Sequence, residues 1–258
     1  MPYFTSQDYK IFYSYSNADP SRQKPAIILI HGAAGVHLHW AEELRKHPEY
    51  QVIAVDLPGH GRSRLQQGQS PVDSIPLFAA LLAELISHLQ LEKLILMGHS
   101  MGGMIAQQLA IELPEKVQKL VLLSSSANLQ VNLRILEEAG IPEKLPGVLD
   151  LMNEMNYAQS SPKDMKDRAR KILDRVPAEI ILADFTACDK FDTTSQVSSI
   201  HCPTFIITGK EDGMVPTEDS EQLAKLIPRA NLEVVENAGH MIMQEKAEAI
   251  NARLLALI

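Results

Sequence analysis

Disulfides cannot hold this chain together: two cysteines in 258 residues are too few for a disulfide framework. Cys188 and Cys202 are expected as buried or half-buried thiols in a reducing compartment. Basic charge is also scarce, with 24 Lys and Arg against 32 Asp and Glu, a net charge of −8. Binding nucleic acid or an anionic membrane needs a basic face that displaces counterions, so neither partner is expected. No apolar run approaches the roughly 18–20 residues that span a bilayer. Residues 1–8 show neither a basic leader nor an apolar signal segment, and the expected location is cytoplasmic. Internal repeats and low-complexity tracts are missing too. What remains, 45% hydrophobic and 22% charged residues, is an ordinary globular composition in a chain long enough to bury roughly 75% of its unfolded surface.

Hydrophobic patterning alternates between two periods. Tyr9, Ile11, Tyr13 and Tyr15 recur at every second residue, as in a half-buried strand, and a turn is expected at 17–21. Short apolar runs follow at 26–30, 51–55, 93–97, 120–123, 204–208 and, more weakly, 232–235. Continuous runs of this kind mark strands covered on both faces. Between them, Leu77, Phe78, Leu81, Leu82, Leu85 and Leu89 form one face of a helix that Ser74 is placed to cap. A second helix over 102–113 stops at Pro114. Thr217 is placed to cap 218–227, whose first turn is acidic. Ala247, Ile250, Leu254 and Ile258 stripe a helix over about 244–258. Buried strands alternating with helices predict an α/β fold, a mostly parallel sheet flanked by helices.

The rhythm breaks between 126 and 198. Helical segments at 129–139, 146–156, 162–175 and 178–190 are punctuated by Gly140, Pro142, Pro146, Pro162 and Pro177, with no buried strand among them. A stretch of about 70 residues is too long for an ordinary crossover. The expected organisation is a sheet-bearing core from 1–125 and 199–258 with an inserted helical cap at 126–198. The alternative is a run of extra helices packed on the sheet's flank.

Gly98-His-Ser-Met-Gly102 lies at a strand-to-helix junction. A turn this sharp strains the central residue and presses the flanking positions together, and glycine at both ends removes the clash. Ser100 is thereby lifted above the carboxyl end of the sheet, at the start of a helix whose dipole favours developing negative charge. Four further segments accompany it: His31-Gly32 at a strand end, Asp56-Leu-Pro-Gly-His-Gly-Arg-Ser63, Gly209-Lys-Glu-Asp212-Gly-Met-Val-Pro216 and Ala238-Gly-His240. Over nearly its whole length the chain resembles the α/β-hydrolase fold family, in its serine esterase and lactonase branch. The resemblance implies a nucleophile, acid and base in the order Ser100, Asp212, His240.

Those roles fit the chemistry of acyl transfer. A serine hydroxyl needs a base, and histidine is the side chain that ordinarily titrates nearest neutrality. The imidazole in turn needs a carboxylate to fix its tautomer. Glu211 is the nearest competitor to Asp212, while Ser124-Ser-Ser-Ala-Asn offers no acid. The resemblance also implies an oxyanion hole made by the backbone N–H groups of Ala33 and Met101. Met152, Met155, Phe185, Met214, Val215 and Met241 are candidates for an adaptable apolar pocket, although methionines more commonly fill cores. His37 and His39 lack a third ligand at metal spacing and are expected at the surface, one of them bordering the pocket at most. Asp56 and His60 are expected to brace their own turn, and Trp40 to anchor packing. Cys188 falls inside a helix without a neighbouring histidine. No cofactor or metal is expected.

The leading reading is a serine hydrolase acting on small to medium apolar carboxylic esters, a small-molecule ester or lactone being the expected partner. An enol-lactonase, a carbon–carbon-bond hydrolase or a monoacylglycerol lipase would use the same three residues. A ligand sensor of the same fold is a further alternative, distinguished by negligible turnover. Dehalogenases and epoxide hydrolases of this fold need an aspartate where Ser100 stands, which excludes them. The oligomeric state is not written in the sequence.

Overall fold

The computed structural model describes residues 2–6, 9–16 and 24–258; the turn expected at 17–21 lies outside the described residues. Eight strands form one sheet: β1 (Tyr3–Ser6), β2 (Tyr9–Tyr15), β3 (Ala26–Ile30), β4 (Val52–Asp56), β5 (Leu94–His99), β6 (Val117–Leu123), β7 (Thr204–Gly209) and β8 (Ala230–Val235). Their spatial order is β1-β2-β4-β3-β5-β6-β7-β8. The β1–β2 and β2–β4 pairs are antiparallel, and all the other pairs are parallel.

Side-chain alternation splits the core between the sheet's two faces. Ile28 and Ile30 pack on one side, with α2 (Ile75–His88) and α3 (Met101–Glu112). Ile27 and Leu29 pack on the other, with α1 (Glu42–Arg45) and the carboxyl-terminal helices. Every residue of β3, β4 and β5 is buried, as expected for strands covered on both faces. In β2, by contrast, Ile11, Phe12 and Tyr13 are all buried while Tyr15 is 46% exposed. Ile11 and Tyr13 pack into the core, while the Phe12 ring is covered by those of Tyr3 (5.5 Å) and His37 (5.1 Å), so the centre is enclosed on both faces. At the carboxyl end Tyr15 is more exposed than Ser14, the reverse of the expected period.

Between β6 and β7 lie α4 (Leu133–Glu138), α5 (Leu145–Asn156), α6 (Lys163–Leu173) and α7 (Ala178–Asp189). An antiparallel bridge between Asn128 and Asp192 and the bond from Thr193 N–H to Ala127 O (2.9 Å) tie the two ends of this insert together. Helix α4 starts later than the sequence pattern suggests, because the Asn132 side chain accepts Arg134 N–H and fixes the first turn there.

After β7 come α8 (Thr217–Leu226), then β8, α9 (Ile242–Glu245) and α10 (Ala247–Ala256). Neither expected cap hydroxyl caps. Ser74 holds the capping position of α2 without a side-chain bond, and Pro76 fills the first turn, where a missing N–H costs nothing. Pro216 precedes α8, so Thr217 lies within the helix and donates instead to Gly209 O. The terminal helix is two helices, broken where Lys246 leaves the helical conformation (φ −125°, ψ 41°). No helix among the described residues is long and apolar enough to cross a membrane.

Candidate active site

The loops that leave β3, β5, β7 and β8 at their carboxyl ends converge, the usual place for a site in an open α/β sheet. Ser100 sits between β5 and α3 at φ 53°, ψ −120°, a conformation that costs a non-glycine residue roughly 1–3 kcal/mol. Glycine is mandatory around it. A Cβ on Gly98 would lie 2.2 Å from Gly102 O, and one on Gly102 would lie 2.2 Å from Ile30 O. The turn is pinned by Ser100 N–H donating to Leu123 O (2.8 Å) and by Ser125 Oγ donating to Ser100 O (3.0 Å).

A second close approach brings an acid and a base together. A Cβ on Gly209 would come within 2.1 Å of Gly239 O, so β7's exit and the loop after β8 run backbone against backbone. Asp212 and His240 are consequently paired: Nδ1 of the imidazole lies 3.0 Å from Oδ1 and 2.9 Å from Oδ2. Asp212 Oδ1 also accepts Met214 N–H (2.9 Å) and Val215 N–H (2.8 Å). These bonds fix the carboxylate and, through it, a tautomer of His240 with its proton on Nδ1. Glu211 turns away and accepts Gln159 N–H from the insert (2.9 Å).

Ser100 and His240 both line one cavity. No hydrogen bond joins the serine hydroxyl to imidazole Nε2, and neither atom is engaged by another described residue; in unliganded sites such bonds are often long and tighten with substrate. Gly209→Ala is expected to separate the two loops, lowering stability by roughly 1–3 kcal/mol through overpacking and lowering activity with it. Urea unfolding followed by fluorescence measures the first effect; wild-type stability would contradict this account of the contact.

Sequence reasoning passed over two residues that brace the histidine loop. His99 Nε2–H donates to His240 O (3.0 Å), and its ring lies 4.7 Å from that of His240. Burial, reinforced by the neighbouring His240, pushes its pKa well below the ordinary value, so the ring is neutral. Glu245 accepts Gly239 N–H (2.9 Å), Ala158 N–H (2.8 Å) and Ser161 Oγ–H (2.5 Å), lashing the loop to the insert.

On the opposite side, the loop after β3 lies against the serine: a Cβ on Gly32 would be 2.9 Å from Ser100 Cβ. His31 holds this loop, donating from Nδ1 to Gly32 O (2.8 Å) and accepting Leu57 N–H at Nε2 (3.0 Å). Burial, with His60 nearby, keeps it neutral. Gly35 N–H is taken by Gly32 O and Ala34 N–H by Asp184 Oδ2. Ala33 N–H meets no acceptor among the described residues, and Met101, the first residue of α3, has none within its helix.

His37 is not at the surface. It is buried, donating from both its backbone N–H (2.7 Å) and Nδ1 (2.8 Å) to Asp56 Oδ1, because the carboxylate behind the loop needs donors once removed from water. Asp56 also accepts Arg62 N–H, so it braces its own turn; burial opposes its ionisation, yet these bonds hold it below the usual carboxylate range. His60 braces that turn through Pro58 O but reaches beyond it to Asp184. Half-buried His39 lines the cavity, and burial lowers its pKa to about 4. Trp40 is buried in the core. Cys188 is buried in α7, where burial and the nearby Asp184 raise its thiol pKa, the reverse of what a nucleophile needs. No cluster of three or more metal-ligating side chains occurs among the described residues.

The cavity measures about 540 Å³. Met152, Phe185, Met214 and Met241 line it; Met155 and Val215 do not. Met155 carries the backbone on which the Gly213 turn leans, with Gly213 N–H donating to Met155 O (3.1 Å), and Val215 points into the core beneath Asp212. Met165, Ala169, Ile172 and Leu173 of α6 complete the apolar wall. Their spacing (i, i+4, i+7, i+8) is one face of an otherwise charged helix, a signal visible in the sequence.

A family model for the alpha/beta hydrolase fold matches residues 25–247. A Pseudomonas syringae protein provisionally named the carbamate hydrolase RutD is 28% identical over 240 residues, spanning 89% of this chain and 90% of its own. Among solved structures, a thermophilic esterase superposes with a TM-score of 0.82 at 29% identity, over 99% of this chain and 96% of the other. The enol-lactonase of Burkholderia xenovorans reaches 0.86 at 19% identity, over 99% and 98%, which speaks for the fold alone. With the sheet order, the elbow and the family match in agreement, the chain belongs to the α/β-hydrolase fold family.

Proposed function

We propose that the protein is a serine hydrolase that cleaves carboxylic esters of small to medium apolar substrates through an acyl-enzyme on Ser100. The observation that carries this reading is the Asp212–His240 pair, bonded at Nδ1 and opening onto the same cavity as a serine on a strained elbow. His240 Nε2 takes the Ser100 proton as Oγ attacks the ester carbonyl, and Asp212 stabilises the imidazolium formed. The oxyanion is received by the free N–H groups of Ala33 and Met101. His240 then gives its proton to the departing alkoxide, which leaves as the alcohol. Water, deprotonated by His240 in turn, attacks the acyl group and releases the acid with Ser100 restored. The methionine- and isoleucine-lined wall favours an apolar acyl or alcohol part, because burying each additional CH₂ contributes about 0.8 kcal/mol.

A panel of p-nitrophenyl esters of increasing acyl length, a lactone, an aryl carbamate and a ring-cleavage dienone tests the reading. Esters are expected to give the highest kcat/KM, rising with acyl length, and a fluorophosphonate should add its mass to the Ser100 peptide. Preferred turnover of the carbamate or dienone would replace the ester assignment, a label elsewhere would refute the nucleophile, and absence of turnover would favour a sensor.

A further inference from the structure

Asp184 is a carboxylate placed where a helix should be apolar. It lies in α7 among Ile180, Ile181, Ala183, Phe185 and Ala187, all of them buried, and is itself only 1% exposed. An ionised group in such surroundings is costly unless it is fully bonded. Its partners come from two other loops: Oδ2 accepts Ala34 N–H at 2.8 Å and His60 Nε2–H at 2.8 Å. His60 Nδ1 lies 3.1 Å from Pro58 O. Both ring nitrogens therefore face oxygens, of a carboxylate and of a carbonyl, an arrangement that an imidazolium with two N–H donors satisfies. Burial works against that charge, but the Asp184 carboxylate outweighs it and the His60 pKa is raised. Asp184 thus joins α7 to the loop that leaves β4 through His60 and to the loop that leaves β3 through Ala34 N–H.

We propose that Asp184 is the positioning residue of the oxyanion hole, holding the Ala34 N–H so that the neighbouring Ala33 N–H is the one presented to the substrate oxygen. Ala34 has φ 54°, a left-handed conformation that an alanine does not adopt unaided. Clamping its N–H fixes the plane of the peptide between residues 33 and 34, and with it the direction of the loop one residue back. The same bond withdraws Ala34 as an alternative donor. Phe185, the next residue of α7, lines the cavity, so one turn of helix both shapes the substrate wall and sets the donor opposite it. The inference rests on the serine-hydrolase reading and deepens it.

The experiment compares Asp184→Ala, Asp184→Asn and Ser100→Ala in the full chain, using a p-nitrophenyl ester and rates normalised to folded protein by circular dichroism. Asp184→Ala is expected to lower kcat roughly 10- to 100-fold, the scale of a catalytic group misplaced by about an ångström, with KM within about twofold because the change is felt where negative charge develops. Asp184→Asn keeps an oxygen acceptor for Ala34 N–H and is expected to recover most of that loss. Wild-type kcat in the alanine variant, a loss confined to KM, or an asparagine variant as impaired as alanine would each overturn the proposal. Should the alanine variant not accumulate folded, Asp184→Glu, which displaces the acceptor and keeps the charge, is read by the same kcat and KM criteria. Ser100→Ala separates the two levels: if it retains activity the hydrolase reading fails, whereas if it is inactive and Asp184→Ala is normal only the positioning role fails.

Discussion

Ser100→Ala is expected to reduce kcat by roughly 10⁶-fold, the loss seen when a comparable triad is deprived of its nucleophile. The cavity, the Asp212–His240 pair and the free N–H groups of Ala33 and Met101 would all survive the change, so KM and thermal stability should move little. Removing the hydroxyl takes away only the atom that becomes covalently bonded. On the proposed mechanism the residual rate reports what the oxyanion donors and binding achieve on their own, about 10³–10⁴-fold over water in such sites. Steady-state kinetics on an activated ester, with fluorophosphonate labelling as the control, checks both parts. A variant retaining even a tenth of wild-type turnover would show that the chemistry lies elsewhere.

Asp212→Asn should cost roughly 10⁴-fold in kcat while leaving the backbone in place. Asp212 Oδ1 receives Met214 N–H and Val215 N–H, so an amide at this position places its oxygen there and its NH₂ where Oδ2 now stands, 2.9 Å from His240 Nδ1. Two donors cannot share that contact. The imidazole is pressed towards the tautomer with its proton on Nε2, the nitrogen needed to deprotonate Ser100, and only the amide oxygen, 3.0 Å from Nδ1, competes to keep the proton on Nδ1. Near-normal activity with Asn would mean that the carboxylate merely props the loop. Protein NMR of the imidazole nitrogens would show the tautomer change directly.

Much of the sheet is legible because burial on both faces leaves an unambiguous mark: the five residues of β3, Ala26 to Ile30, have no polar member. Strand β1 leaves none, since Tyr3–Ser6 is four residues at an edge, held by pairing with β2 rather than by a face of its own. Asp212 and His240 stand in loops whose order along the chain is informative, whereas the pocket depends on which way each side chain turns. Thus Met214 faces the cavity while its neighbour Val215 turns inward. Asp184 was invisible for the opposite reason. A single acid in an apolar helix looks like a solvated position until the fold supplies Ala34 and His60, 150 and 124 residues away in sequence.

Several bonds sew the helices between β6 and β7 to the rest of the fold. Glu245 grips Ala158 and Ser161 on one side, and Asp184 grips Ala34 on the other. Helix α6 lies between these sutures and buries no residue completely, while Ile172 on its inner face remains 52% exposed. Local opening draws on the segments with least buried contact, so α6 is the part of this wall expected to open first, with the bonds on either side of it left intact.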